Sequence, residues 1–172
     1  MLQSLSHLPR ELVTLLKAEL MQDETVLWAS QPLSARWTVQ DSVKHVPIHK
    51  RWYLLIPGLS KFISSILSKA ANNILYVVTN QRALLVFGTV SLGSASTPDR
   101  ISSIPPEKLL GRQITLQSDN SGDLLFPQAQ WKPPFINGQA FPKGTVGFYG
   151  IPDVKDVDEL IRRTFETKDS PI

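Results

Sequence analysis

The sequence predicts an α+β fold, mainly β, in which short antiparallel strands are flanked by an N-terminal helix, an amphipathic helical stretch and a C-terminal helix. Three observations predict it. Thirteen prolines and nine glycines are spread along 172 residues, which favours many short elements over a helical bundle. Two apolar runs, Ile74 to Val78 and Ala83 to Phe87, stand on either side of the polar turn Thr79-Asn80-Gln81-Arg82, the pattern of a hairpin. Elsewhere the apolar period changes to that of a helix. At this length one domain, residues 1–172, accommodates a substantial core.

The elements follow in order. From Pro9 to Met21, Leu12, Val13, Leu15, Leu16 and Leu20 recur at helical spacing, with Pro9 as first helical residue. Thr25 to Ala29 reads as a strand closed by Pro32, and Trp37 to Val39 as a second short one. Leu55, Leu59, Phe62, Ile63, Ile66 and Leu67 share one helical face, opposite Ser60, Lys61, Ser64, Ser65 and Ser68. After the hairpin, a strand is expected over Arg100 to Ile104. Gln113 to Gln117 and Asp123 to Phe126 form another hairpin around Ser118-Asp119-Asn120-Ser121-Gly122, and Thr145 to Tyr149 is the last strand. Asp153 is placed to cap a helix whose buried stripe is Val154, Val157, Leu160, Ile161 and Phe165, with Arg162 and Arg163 at its negative end. A proline-rich loop spans Pro127 to Pro142.

Net charge of +3 hides an uneven distribution. Residues 1–41 hold 3 basic and 5 acidic side chains, residues 42–98 hold 6 and 0, and residues 99–172 hold 9 and 10. The complete absence of cysteine excludes disulfides, thiol nucleophiles and thiolate zinc sites. Charged residues interrupt the N-terminal leucines where a secretory signal would need an apolar run, so a cytoplasmic chain is expected. The most apolar stretch, Trp52 to Leu67, is 16 residues long and studded with Ser, Lys, Pro and Gly, short of the roughly 20 apolar residues a spanning helix needs.

Catalytic and cofactor motifs are missing. The Gly93-Ser94 stretch does not complete a nucleophile elbow, and neither phosphate-binding glycine pattern occurs. His45 and His49 have helical ligand spacing, but Pro47 lies between them and no acidic neighbour completes a metal site. Asp119-Asn120-Ser121-Gly122-Asp123 resembles part of a calcium loop, yet Gln128 stands where the bidentate glutamate belongs, so an ordinary turn is the simpler reading. Basic character comes without nucleic-acid motifs. The expectation is a non-enzyme with no catalytic residues, no cofactor, no metal and no nucleic-acid partner.

Three blocks together resemble the bacterial pleckstrin-homology (PH)-like domain proteins. They are Glu24-Thr25-Val26-Leu27-Trp28-Ala29-Ser30-Gln31-Pro32, then Tyr76-Val77-Val78-Thr79-Asn80-Gln81-Arg82-Ala83-Leu84-Leu85, and finally Gly122-Asp123-Leu124-Leu125-Phe126 with Gly147-Phe148-Tyr149-Gly150-Ile151-Pro152-Asp153-Val154. The resemblance implies a strongly bent antiparallel sheet, nearly closed into a barrel, with the C-terminal helix plugging one end. In many similar proteins the interval between the first two blocks holds transmembrane helices. Here it is a short basic amphipathic insertion, residues 42–73.

That insertion is the leading functional feature. Lys44, Lys50, Arg51, Trp52, Lys61 and Lys69 would contact an anionic membrane surface, and Leu55, Leu59, Phe62, Ile63 and Ile66 would supply an apolar face. The same face could equally pack on the barrel, or meet a membrane-bound protein or a second copy of the chain. Asn80 and Arg82 also have two readings: contacts for a phosphate- or carboxylate-bearing ligand at the open end of the barrel, or residues that shape a tight turn. Two functions follow, a binding or scaffolding module at the inner face of the membrane and a lipid- or small-molecule-binding domain.

Overall fold

The structure, a computed structural model, describes residues 5–33, 72–92, 95–97, 100–129, 135–136, 139–140 and 146–166. The expected strand at Trp37 to Val39 and the amphipathic stretch at Leu55 to Leu67 lie outside the described residues. So do Lys44, Lys50, Arg51, Trp52, Lys61 and Lys69, with the apolar positions between them.

Residues 10–19 form α1 (Arg10–Glu19). Pro9 is its cap, in extended conformation, and not its first helical residue. The helix stops two residues short of Met21 because Leu20 is extended and the Met21 N–H donates to the Glu24 carboxylate at 2.9 Å. β1 (Val26–Ser30), β2 (Ile74–Thr79), β3 (Ala83–Phe87) and β6 (Arg100–Ile104) make an antiparallel sheet in the order β1-β2-β3-β6. A small hairpin, β4 (Val90–Leu92) with β5 (Ala95–Thr97), intervenes where the sequence pattern gave no signal.

A second sheet has the order β11-β8-β7, from β7 (Gln113–Leu116), β8 (Gly122–Phe126) and β11 (Val146–Ile151). Between its last two strands, β9 (Phe135–Ile136) and β10 (Gln139–Ala140) form a two-residue ladder inside the expected proline-rich loop. The C-terminal α2 (Val154–Ile161) runs on into a π-helical turn, Arg162–Glu166. Asp153 sits at its cap position but in left-handed conformation, and its side chain makes no capping bond. Its carbonyl accepts instead from the Asp156 and Val157 N–H groups, while the Val154 N–H is satisfied by the Asn120 carbonyl.

The unbroken apolar runs of β2 and β3 are explained by burial on both faces. Ile74, Tyr76, Val78, Ala83 and Leu85 face a core shared with Leu124, Phe126, Phe148, Ile151, Val154, Val157, Ile161 and Phe165. Leu75, Val77, Leu84 and Val86 face the opposite way, against Leu8, Leu12 and Leu16. The molecule is therefore layered: α1, then the four-stranded sheet, then the three-stranded sheet with α2. A register shift in β1 between Val26 and Trp28 lets Val26 and Ala29 both face α1 while Trp28 turns to the other core. Phe148 centres that core, stacked on Tyr76 at 4.8 Å and Trp28 at 5.9 Å, and edge-on to Phe126 at 5.2 Å.

This is a mainly β α+β fold, with its C-terminal helix packed on the core beneath the second sheet. The nearly closed barrel is corrected in one respect. Among the described residues the two larger antiparallel sheets, of four and three strands, do not close into a barrel.

Candidate functional site

Among the described residues a dense polar constellation gathers on the β2–β3 turn. Thr79 holds the turn shape: its N–H donates to the Arg82 carbonyl at 2.9 Å, and its hydroxyl accepts from the Gln81 and Arg82 N–H groups. The hydroxyl proton goes to Glu24 Oε1 at 2.8 Å. Asn80 clamps the loop before β1, with Oδ1 accepting from the Thr25 N–H at 2.8 Å and Nδ2 donating to the Asp23 carbonyl at 3.2 Å. Its own N–H donates to the Thr25 carbonyl.

Arg82 then joins three elements. Nε and one Nη2 proton form a two-point pair with Glu24 at 2.9 Å each, and Nη2 also donates to the Glu19 carbonyl at 3.0 Å. Nη1 reaches Glu19 Oε1 at 3.5 Å and Ser103 Oγ at 3.2 Å. All five guanidinium protons are committed within the fold. The Glu24 side chain has no exposure and Arg82 only 11%, so the pair is desolvated. Burial resists ionisation of Glu24. Hydrogen bonds from Arg82, the Met21 N–H and Thr79, with the Arg82 charge, outweigh it and hold the carboxyl below its ordinary value. The Glu24 hydrogen bond in turn raises Arg82, against the effect of its own burial.

Both expected contact residues, Asn80 and Arg82, are thus brought together, and their polar groups tie the turn to α1 and β1. A ligand at Arg82 would have to displace one of these partners. The sequence reading missed Glu24 as that partner. The available signal was that the two most characteristic blocks each carry one charge at the mouth of an apolar strand.

A second buried cation, Arg112, anchors the other end of the molecule. It lies before β7, is 7% exposed, and pairs through Nε with Asp158 and through Nη1 with Glu166 at 2.6 Å. Its remaining bonds go to the Leu109 and Asp158 carbonyls. Arg112 therefore fastens the C-terminal helix to the second sheet. Arg162 and Arg163 instead share Glu159 on the surface, lowering its pKa to about 2.

The Asp119 loop behaves as a turn: Asp119 Oδ1 accepts from the Ser121 N–H and hydroxyl. Among the described residues no three His, Asp or Glu side chains are grouped to hold a metal ion, and no helix is long and apolar enough to cross a membrane. A surface groove of about 480 Å³ runs beside α1, lined by Leu5, Leu8, Arg10, Val13 and Lys17, away from Asn80 and Arg82.

No family model matches the sequence, and no curated protein matches it. Among solved structures the chain is similar to a pleckstrin homology domain from Shewanella amazonensis, at 16% identity and a TM-score of 0.40, over 91% of this chain and 97% of that one.

Proposed function

We propose that this chain is a non-enzymatic binding and scaffolding module held at the cytoplasmic face of a membrane by its basic insertion. The observation that carries the reading is how the insertion is rooted. β1 and β2 are sheet neighbours with Ser30 opposite Tyr76, and Gln31 Nε2 donates to the Asn72 carbonyl at 2.5 Å. The chain thus leaves the sheet and re-enters it at adjacent points. Among the described residues, β1 and β2 are neighbours in a four-stranded sheet. That segment, residues 42–73, contains five cations and no acid. Each Lys or Arg near an anionic surface contributes on the order of 1 kcal/mol, and the apolar side chains between them add burial in the interface.

The test is co-sedimentation of the full chain with phosphatidylserine-containing vesicles against phosphatidylcholine vesicles. The chain is expected on the anionic vesicles, with binding that falls as salt rises. Replacing Lys44, Lys50, Arg51, Lys61 and Lys69 by Gln should weaken binding at least tenfold and flatten the salt dependence. No binding by the parent chain, or equal binding by the variant, overturns the reading.

A further inference from the structure

β7 is the outer strand of the three-stranded sheet, and among the described residues no strand pairs with its far edge. All four of its residues are exposed, and Ile114 and Leu116 are large apolar side chains left 41% and 45% exposed. The hydrogen-bond phase of the strand is fixed by the Gln117 N–H, which donates to the Ser121 carbonyl at 2.9 Å. Hydrogen-bonded pairs alternate along an antiparallel ladder. Thr115 opposite Asp123 and Gln113 opposite Leu125 therefore turn their backbone groups inward, and Ile114 and Leu116 turn theirs to the open edge.

Exposed edges are ordinarily blunted by a charge, a proline or a bulge. This one carries no charge and no proline, and its register with β8 is continuous. Its sequence, Gln113-Ile114-Thr115-Leu116-Gln117, also reads almost identically in both directions.

We propose that β7 pairs antiparallel with β7 of a second copy of this chain, across a twofold axis at Thr115. In that register Ile114 lies opposite the partner's Leu116, Leu116 opposite the partner's Ile114, and Thr115 opposite the partner's Thr115. The free backbone groups of Ile114 and Leu116 then form four hydrogen bonds across the seam. Their side chains, two from each copy, collect on one face of a continuous six-stranded sheet. A twofold interface requires a surface complementary to itself, which this near-palindrome supplies: aliphatic meets aliphatic, Thr meets Thr and Gln meets Gln, with no like charges opposed. An unrelated edge strand would match the free hydrogen-bond phase but not this sequence.

Position 115 gives a test specific to the register, because only there does a residue face its own copy. Sedimentation equilibrium and light scattering of the full chain should show a monomer–dimer equilibrium at concentrations up to about 1 mM. Thr115→Lys and Thr115→Glu should each dimerise about fivefold more weakly, because each sets its own charge opposite itself at the axis; circular dichroism checks that both keep the fold, the Glu variant melting slightly lower because it faces Asp123. An equimolar mixture of the two should recover association as a heterodimer. A parent chain that stays monomeric, variants that dimerise as well as the parent, or a mixture no stronger than its components would each overturn the proposal.

Discussion

Replacing Arg82 by Leu is the sharpest probe of the buried tie. The substitution leaves the Glu24 carboxylate, without exposure, facing the turn with only Thr79 and the Met21 N–H as donors. Stranding one member of a buried ion pair costs about 3–5 kcal/mol. The half-exposed Glu19 contact adds little, because a carboxylate at 3.5 Å and 41% exposure is largely screened. A loss of about 4 kcal/mol corresponds to roughly 10 °C in melting temperature for a chain of this size. Arg82→Lys should recover only part of it, since an ammonium cannot make the two-point contact. The pair Glu24→Leu with Arg82→Leu should be less damaged than Arg82→Leu alone, because no unpaired charge remains. The pH dependence provides a second signature. Glu24 has a folded pKa below its ordinary 4.5, so its contribution is complete above that value and disappears as pH falls through the lower folded value. Parent stability should therefore drop below about pH 4.5, by more than that of Glu24→Gln. Urea and thermal unfolding measure all of this. If Arg82→Leu unfolds within about 1 kcal/mol of the parent, the tie is not structural and Arg82 is free for another role.

Three further outcomes are expected. Gly122→Ala should destabilise by about 3 kcal/mol or prevent folding, because its Cβ would stand 1.9 Å from the Thr115 carbonyl and 3.0 Å from Val154, clashing with β7 and α2 together; circular dichroism melts would register it. Phe148→Ala removes the ring at the centre of the aromatic cluster and should cost about 3–5 kcal/mol in urea unfolding. Glu159→Gln should leave the melting temperature unchanged despite the carboxyl's low pKa, since solvent screens that surface pair; a clear drop would contradict the surface reading.

Strand and helix periodicity were legible wherever one residue's environment decided them. The β2–β3 hairpin, β8 and the stripe of α2 follow from apolar spacing: β2 and β3 read as unbroken apolar runs because both their faces are buried, while β8 and α2 turn their apolar side chains to one core. Non-local decisions were not legible. The end of α1 depends on a carboxylate five residues beyond its last residue, and the start of α2 depends on a carbonyl from the β7–β8 loop. β4 and β5 are three-residue strands, too short to display a period. Within the candidate site, Asn80 and Arg82 were recognisable as a special turn. Glu24 lies 58 positions from Arg82, a separation over which local patterning gives no guidance.

The motif that carries the family resemblance is thereby given an architectural cause. Thr79 builds the turn, Asn80 clamps the strand beside it, and Arg82 reaches past both to the end of α1. Tyr76, three residues earlier, is fully buried against Phe148. Each position is held by interactions inside the chain, and a hydrogen-bond donor already committed to a buried carboxylate is a poor recognition element, because binding would first have to expose that charge. Recognition is better supplied by groups the fold does not consume. The proposed membrane contact draws on the acid-free segment that the sequence places between β1 and β2, and the open edge of β7 offers outward backbone groups and exposed aliphatics. They leave from different sheets, so a charge substitution at Thr115 and cation removal in the insertion perturb separate properties, and each can be tested with the buried tie intact.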